Sequence, residues 1–301
     1  MRCESRSGRI ACWFMTCFLV LLLARSASVV GMPGVHYRVM KWYRMTTGLR
    51  LRVRPAFFDG RGVFWSAAYH LGDLDTGSAM SPDDAQLFVR IASILPAKRI
   101  FVVGNAWGYS AIMLATIFNG SSVDVLDGGE EGSDNVRAIE LTRRVAARAG
   151  LDVSVTLGFS PRDIPRALRA PLGVYELVFI DGGHTNDQIL QDFAGVLPFL
   201  SETAVIVFHD VGLWDLWEGL VGCICLDPKL RFFVVDGGRV VSRARVGLGF
   251  RGLINGSMAS LRGRGGTWNS FSSRSLCERE NAKPDQKRVC VESQDRSVAI
   301  C

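Results

Sequence analysis

Between residues 100 and 208, five short β-branched and apolar runs alternate with stretches of helical periodicity, and this alternation limits the possible folds more than any other feature. The runs are Ile100–Val103, Val123–Leu126, Val153–Leu157, Glu176–Ile180 and Ala204–Phe208. Strands separated by helical patterns imply a parallel sheet with crossover helices, because parallel neighbours cannot be joined by tight turns. Five of them within about 110 residues predict an α/β, doubly wound sheet. A helix is predicted from Thr185, where Thr185-Asn-Asp-Gln188 has the form of a capping box and Ile189, Phe193, Val196 and Leu200 follow on one face. An apolar helical stretch, 213–226, precedes the runs 231–235 and 246–250, which are expected to pair as an antiparallel edge hairpin. The domain is therefore placed at 81–254.

Charge separates this middle from the ends. Residues 61–254 hold 17 Lys/Arg against 22 Asp/Glu, whereas residues 1–60 hold 10 against 2, so the overall net charge of +6 belongs to the termini. An acidic middle cannot neutralise phosphates, and no nucleic acid is expected as a partner. Residues 10–24 form an uncharged, mostly apolar run of 15 residues behind Arg2, Arg6 and Arg9. It is shorter than the roughly 20 residues that span a bilayer and suits a leader or anchor, assigned to 1–30. The basic residues from Arg25 to Arg54 favour retention with the domain on the cytosolic face of a membrane, and leader removal would instead give a soluble cytoplasmic or organellar protein. Residues 31–80 read as a basic linker and lead-in, whose Trp42, Tyr43, Phe57 and Phe58 among positive charges suit a membrane surface, an acidic partner or a solvated linker. From residue 255 the chain turns to Ser, Gly, Arg and Asn and is expected to be a disordered tail, 255–301. No CxxC pair occurs among the eight cysteines, which excludes a finger-type zinc site, and Cys223 and Cys225 are expected to be buried packing without disulfides.

The first strand leads into Gly104-Asn-Ala-Trp-Gly108-Tyr-Ser110 and then a helical pattern. A glycine-rich turn between a strand's carboxyl end and a helix is where open α/β sheets take nucleotides. The G-x-x-x-G spacing differs from the G-x-G-x-x-G of NAD and FAD enzymes. Asp127 ends the second strand 23 residues after Gly104, at the distance where a carboxylate meets ribose hydroxyls; as a turn former before Gly128-Gly129 it would need no ligand.

Together with Gly158-Phe-Ser-Pro-Arg-Asp163, Phe179-Ile-Asp-Gly-Gly-His-Thr185 and Val207-Phe-His-Asp-Val211, the loop Val103–Ser110 resembles class I S-adenosylmethionine-dependent methyltransferases, above all the small-molecule O-methyltransferase branch called methyltransferase family 24. The resemblance spans about residues 85–254 and implies a Rossmann-like, mostly parallel sheet of seven strands. It implies S-adenosyl-L-methionine as cofactor, beside Gly104, Asn105, Gly108, Tyr109 and Ser110, with Asp127 on its ribose, Ser160 or Asp163 near its adenine and Asp181 lining the same site. The chain departs from the family at Val102 and Gly183, each standing where relatives carry an acid.

Asp181 closes the fourth strand, and His209 with Asp210 closes the fifth. Neighbouring strands lie about 5 Å apart, so these side chains converge. Carboxylate and imidazole together can hold a divalent metal, and the resemblance implies Mg2+ or another divalent ion on Asp181, His209 and Asp210, next to the acceptor hydroxyl. Alternatively His209 or His184 is a general base, taking the acceptor's proton without metal, or both are structural. Trp214 and Trp217, three apart, read as a core or interface stripe, or else as an aromatic wall for substrate. The expected activity is methyl transfer to a hydroxyl, or else an amine, of a small-molecule acceptor, with Asp181, His184 and His209 as catalytic candidates. The competing expectation is an inactive binding or scaffold domain tethered to a membrane. Neither the acceptor nor the oligomeric state is written in the chain.

Overall fold

A computed structural model describes residues 32–48, 54–58, 62–71, 74–79, 82–129, 135–211, 214–227, 230–235 and 246–251, with short strands at 268–271, 291–292 and 299–300. The apolar run 10–24 and most of the expected tail 255–301 lie outside the described residues. Helix α1 (Met32–Thr47) comes first, followed by β1 (Arg54–Phe58), β2 (Gly62–Leu71) and β3 (Leu74–Ala79), an antiparallel sheet in that order. The main domain then runs α2 (Pro82–Ile94), β4 (Arg99–Val103), α3 (Tyr109–Ile117), β5 (Ser122–Asp127), α4 (Asn135–Ala149), β6 (Asp152–Leu157), α5 (Ile164–Ala167), β7 (Tyr175–Ile180), α6 (Asn186–Val196), β8 (Leu200–Phe208) and α7 (Trp217–Leu226). Strands β9 (Leu230–Val235), β10 (Val246–Arg251) and β11 (Trp268–Phe271) complete it.

The sheet order is β11-β9-β10-β8-β7-β4-β5-β6, in which β8, β7, β4, β5 and β6 are parallel and β10 lies antiparallel to β8. It thus has eight strands where the resemblance implied seven. The five parallel strands coincide with the five apolar runs; β4, β5 and β7 are buried on both faces, whereas β6 is the sheet's edge and buries only Val155. Ile100 and Val102 of β4 join one hydrophobic cluster, with α1, α2, α3 and α4, while Phe101 and Val103 join the other, with α5, α6 and α7. Strand β4 pairs with β5 on one side and β7 on the other. Chain order reverses there, which opens a crevice beyond the carboxyl ends of β4 and β7.

Helix α1 was not legible, since its residues read as part of a linker. Val35, Val39 and Tyr43 lie one turn apart and are buried in the domain's core, so this stretch is an integral layer. The reason lies in α3, whose residues 109–116 are buried all round its axis. A short helix apolar on every side requires cover on its outer face, and α1 supplies it. The Tyr43 hydroxyl, itself buried, donates to the Trp107 carbonyl at 2.8 Å and ties α1 to the glycine-rich turn. Tyr43 is therefore core, not a surface aromatic facing a membrane. Cys223 is buried and free, as its position predicts, but Cys225 is exposed and disulfide-bonded, contrary to expectation. Two positions along a helix turn the side chain about 200° away, so one cysteine meets the core and the other faces outward. No helix among the described residues is long and apolar enough to cross a membrane.

Tyr43→Phe keeps the ring and removes the donor, leaving the Trp107 carbonyl short of a partner. It should lower stability by about 1–2 kcal/mol in urea denaturation, and an unchanged midpoint would show that the bond contributes nothing.

Candidate active site

The crevice is built by backbone proximity. Gly104 donates to the Leu126 carbonyl at 2.9 Å, and Asp181 donates to the Val103 carbonyl at 2.9 Å, so the tips of β4, β5 and β7 stay hydrogen-bonded past the ends of the strands. Gly104 has φ +93°, and a Cβ there would lie 2.1 Å from the Asp181 carbonyl oxygen. Gly108 has φ +81°, and its Cβ would meet Thr142 Oγ1 at 2.1 Å. Both glycines are thus required by conformation and by contact. Between them Ala106 also takes a positive φ, 41°. The Asp127 carboxylate holds this turn, accepting from the backbone N–H of Asn105 at 2.6 Å, Ala106 at 3.1 Å and Gly129 at 2.7 Å. Asp127 therefore shapes the loop, and three of its roughly four lone-pair positions are engaged. Asn105 is buried, donates to Ala106 O and Thr142 Oγ1, and leaves its Oδ1 without a hydrogen-bond partner among the described residues. Ser110 is buried in the first turn of α3. Tyr109 is also buried, and its hydroxyl bonds His36 of α1.

The remaining expected cofactor residues are engaged with the protein. Asp163 accepts from the Phe159 N–H at 2.8 Å and from Arg162 at 2.9 Å; those bonds hold its carboxyl at about 2 and make it the brace of its own turn. Ser160 bonds the carboxylate of Asp192, a buried residue of α6 that sequence reasoning missed. Gln188 Nε2 reaches the same Asp192 oxygen at 2.5 Å and the Ser160 carbonyl at 3.3 Å. The capping box is thus half formed: Thr185 Oγ1 accepts from the Gln188 N–H at 3.1 Å, while the Gln188 side chain braces Ser160. Gly183 allows this, because a Cβ there would lie 2.8 Å from Gln188 Cγ. Val102, the other departure from the family, lies fully buried in the core, where an acid would be stranded.

Asp181, His184, His209 and Asp210 converge at the tips of β7 and β8, where the His209 N–H continues the ladder to the Ile180 carbonyl at 2.9 Å. Asp210 has φ +52°, a left-handed conformation uncommon for a residue with a side chain and typical of functional sites. His209 Nδ1 approaches Asp181 Oδ1 at 2.9 Å, and its Nε2 bonds Asp84 Oδ2 at 3.2 Å. Asp84, in the first turn of α2 and buried, is a second residue that sequence reasoning missed; its only signal was the acidic pair Asp83-Asp84 at a helix start. Burial works against charge on His209, but Asp181, Asp210 and Asp84 outweigh it and hold the imidazole protonated well above its ordinary range. Burial likewise opposes ionisation of Asp181, and His209 and His184 overcome it, keeping the carboxyl below its usual value.

One ligand atom each from Asp181, His184 and Asp210 lie within 4.8 Å of one another. His184 thus replaces His209 in the expected metal group, because His209 is turned between two carboxylates. His184 Nε2 lies 3.9 Å from Asp181 and 3.8 Å from Asp210, without a hydrogen bond, and the Asp181 carboxylate raises its pKa against the effect of burial. Its ring stacks on Trp214, with centroids 5.3 Å apart and planes at 13°. Trp214 is exposed and precedes α7, whose first residue is Trp217, so the two tryptophans do not share a helix face as expected.

A family described as a methyltransferase domain matches residues 101–211, the segment that carries the glycine turn and both acidic strand ends. That segment, 111 of the 301 residues, is similar to the methyltransferase domains of the S-adenosylmethionine-dependent class. No curated protein matches the chain. Among solved structures, the O-methyltransferase TomG from Streptomyces achromogenes, involved in tomaymycin synthesis and in complex with S-adenosylmethionine, is 19% identical over 59% of this chain and 82% of its own, with a TM-score of 0.48. An O-methyltransferase from Bacillus cereus in complex with S-adenosylhomocysteine is 19% identical over 58% and 83%, with a TM-score of 0.46.

Burial pushes the Asp192 carboxyl up to about 6, against the hydrogen bonds from Ser160 and Gln188. A folded pKa raised above 3.8 means that stability tied to the protonated form is complete below pH 3.8 and is lost as pH rises through about 6. Asp192→Asn should therefore gain on the wild type by up to about 3 kcal/mol between about pH 4 and pH 7 in urea denaturation. A difference that stays constant over that range is the contrary result.

Proposed function

We propose that this enzyme transfers the methyl group of S-adenosylmethionine to a hydroxyl of a small-molecule acceptor, with Asp181, His184 and Asp210 holding a divalent cation beside that hydroxyl. The convergence of these three side chains next to the glycine turn is the observation that carries the reading. The donor set fits such an ion: two carboxylates offset its charge, and His184 Nε2 is a buried nitrogen without a hydrogen-bond partner among the described residues. One imidazole with two carboxylates suits a borderline ion such as Mn2+ better than Mg2+, which prefers oxygen ligands alone.

S-adenosylmethionine supplies an electrophilic sulfonium methyl group. The turn from Gly104 to Gly108 would hold its methionine part, and the Asp127 carboxylate, already bound to that turn, would accept from a ribose hydroxyl. A divalent cation on Asp181, His184 and Asp210 would lower the pKa of the acceptor hydroxyl so that its proton is lost to water; the oxygen–methyl bond would form as the sulfur–methyl bond breaks, releasing S-adenosylhomocysteine. The protein's part is orientation: collinear placement of oxygen, methyl and sulfur is worth several kcal/mol of the barrier. His209, charged and held between Asp84 and Asp181, acts as a positioning residue for Asp181. In a second reading, favoured by the unpartnered His184 Nε2, that nitrogen takes the acceptor's proton directly and no metal is needed.

Calorimetry of the full chain should register binding of both S-adenosylmethionine and S-adenosylhomocysteine; no heat with either overturns the reading. With an acceptor in hand, EDTA should abolish turnover, and Asp181→Ala and Asp210→Ala should each lower kcat/KM by at least about 100-fold. Activity that survives EDTA assigns His184 as the base. Asp84→Asn should cost about 10–100-fold in activity with little change in the KM for S-adenosylmethionine, whereas wild-type kcat in that variant would remove Asp84 from the site.

A further inference from the structure

The outer face formed by α1 and α4 is rich in exposed cations. Helix α1 contains no acidic residue, and its exposed stripe is Tyr37, Arg38, Lys41, Arg44 and Met45. The opposite stripe, Val35, Val39 and Tyr43, is buried, so this orientation is fixed by core packing. Helix α4 lies against α1, and Arg144 of α4 donates to the Thr46 carbonyl at 3.3 Å. Its exposed residues include Val136, Arg137, Arg143, Arg144 and Arg148, with Glu140 as the sole acid of the helix. Among the described residues, Arg38, Lys41, Arg44, Arg137, Arg144 and Arg148 stand exposed on these two helices with Glu140 as the one carboxylate, while Arg143 donates to the Val155 carbonyl of β6 at 2.8 Å.

Apolar side chains stand among these cations. Tyr37 is 69% exposed, Met45 47% and Val136 73%, three of the eight large hydrophobic residues exposed among the described ones. Cations alone would suit any polyanion. Cations interleaved with exposed tyrosine, methionine and valine on helices lying flat along one face suit an interface with a charged outer layer and an apolar interior. The acidic groups of the methyl-transfer site belong to the strand tips, so binding through these helices leaves that site out of the contact.

We propose that the α1–α4 face docks on an anionic lipid bilayer. Arg38, Lys41, Arg44, Arg137 and Arg148 meet lipid phosphates and carboxylates, while Tyr37, Met45 and Val136 enter the interfacial layer. Surface attraction of this kind grows with each basic residue near the membrane and is screened by salt. The apolar run 10–24 lies shortly before α1 in the chain and would add binding indifferent to lipid charge, so the proposal concerns the increment that anionic lipid brings.

The test is vesicle sedimentation of the full chain on pure phosphatidylcholine and on phosphatidylcholine with phosphatidylserine. Partitioning onto the anionic vesicles should exceed that onto neutral ones by at least about tenfold and should fall to the neutral value in about 0.5 M salt. Arg38→Gln/Lys41→Gln/Arg44→Gln should remove most of the increment while leaving neutral-vesicle partitioning and S-adenosylmethionine binding unchanged. Arg137→Gln/Arg148→Gln, on the other helix, gives an independent reading should the first variant fold poorly. Equal partitioning onto both vesicles overturns the proposal and leaves an acidic protein as the partner of this face. A full increment retained by well-folded variants also overturns it, by assigning the binding to other basic segments. Neither result bears on methyl transfer, because none of the substituted residues belongs to that site.

Discussion

The contact between Gly104 and the Asp181 carbonyl governs the geometry of the catalytic region. A side chain at 104 would stand 2.1 Å from that oxygen, so the tips of β4 and β7 can approach only if residue 104 is glycine. Their approach sets the glycine-rich turn beside the acidic end of β7. It also lets the ladder continue from Val103 O to Asp181 N–H and from Ile180 O to His209 N–H, which aligns the side chains of Asp181 and His209. The fold supplies the switch point between β4 and β7, and a hydrogen atom in place of a Cβ at residue 104 lets the two strand tips meet there.

Charge then decides what each residue at the tips does. A buried imidazole is normally neutral, yet His209 lies between Asp84 and Asp181 and is held charged. Burying these three groups is tolerable because each charge has a partner of opposite sign at contact distance. His209 thereby bonds Asp84 through Nε2 and places Nδ1 2.9 Å from Asp181 as an ion pair. His184 reaches the carboxylates of Asp181 and Asp210 from the loop after β7. The pairing makes α2 part of the site, since Asp84 brings a carboxylate from 125 positions away in the chain.

Helix α1 shows how cover and function coincide. Residues 109–116 of α3 are apolar on every side and need a second layer. α1 covers that helix, binds the Trp107 carbonyl through Tyr43, and turns its cationic stripe outward beside α4. One amphipathic segment thus supports the cofactor turn from behind and gives the domain a basic outer face. The order follows from packing: the buried stripe orients the exposed one.

The strands, the glycine turn, the cap at Thr185 and the acidic ends of β7 and β8 were legible because each is written in local periodicity or short spacing. A run buried on both faces must be apolar throughout, and a turn with positive φ selects glycine. Asp84, Asp192, the stacking of His184 on Trp214 and the inward face of α1 were not read from the sequence, since each depends on a distant partner and the local signals, an acidic pair at a helix start and Val35, Val39 and Tyr43 one turn apart, do not name that partner. Tyr109 and Ser160 lie within the right motif yet turn toward His36 and Asp192, a choice set by packing. The sequence alone determined the layered α/β architecture and the chemistry available at its strand ends, because hydrophobic burial and turn conformation act residue by residue. Only the tertiary structure decided which imidazole is locked between carboxylates and which stays available, because electrostatic pairing depends on distances that folding sets.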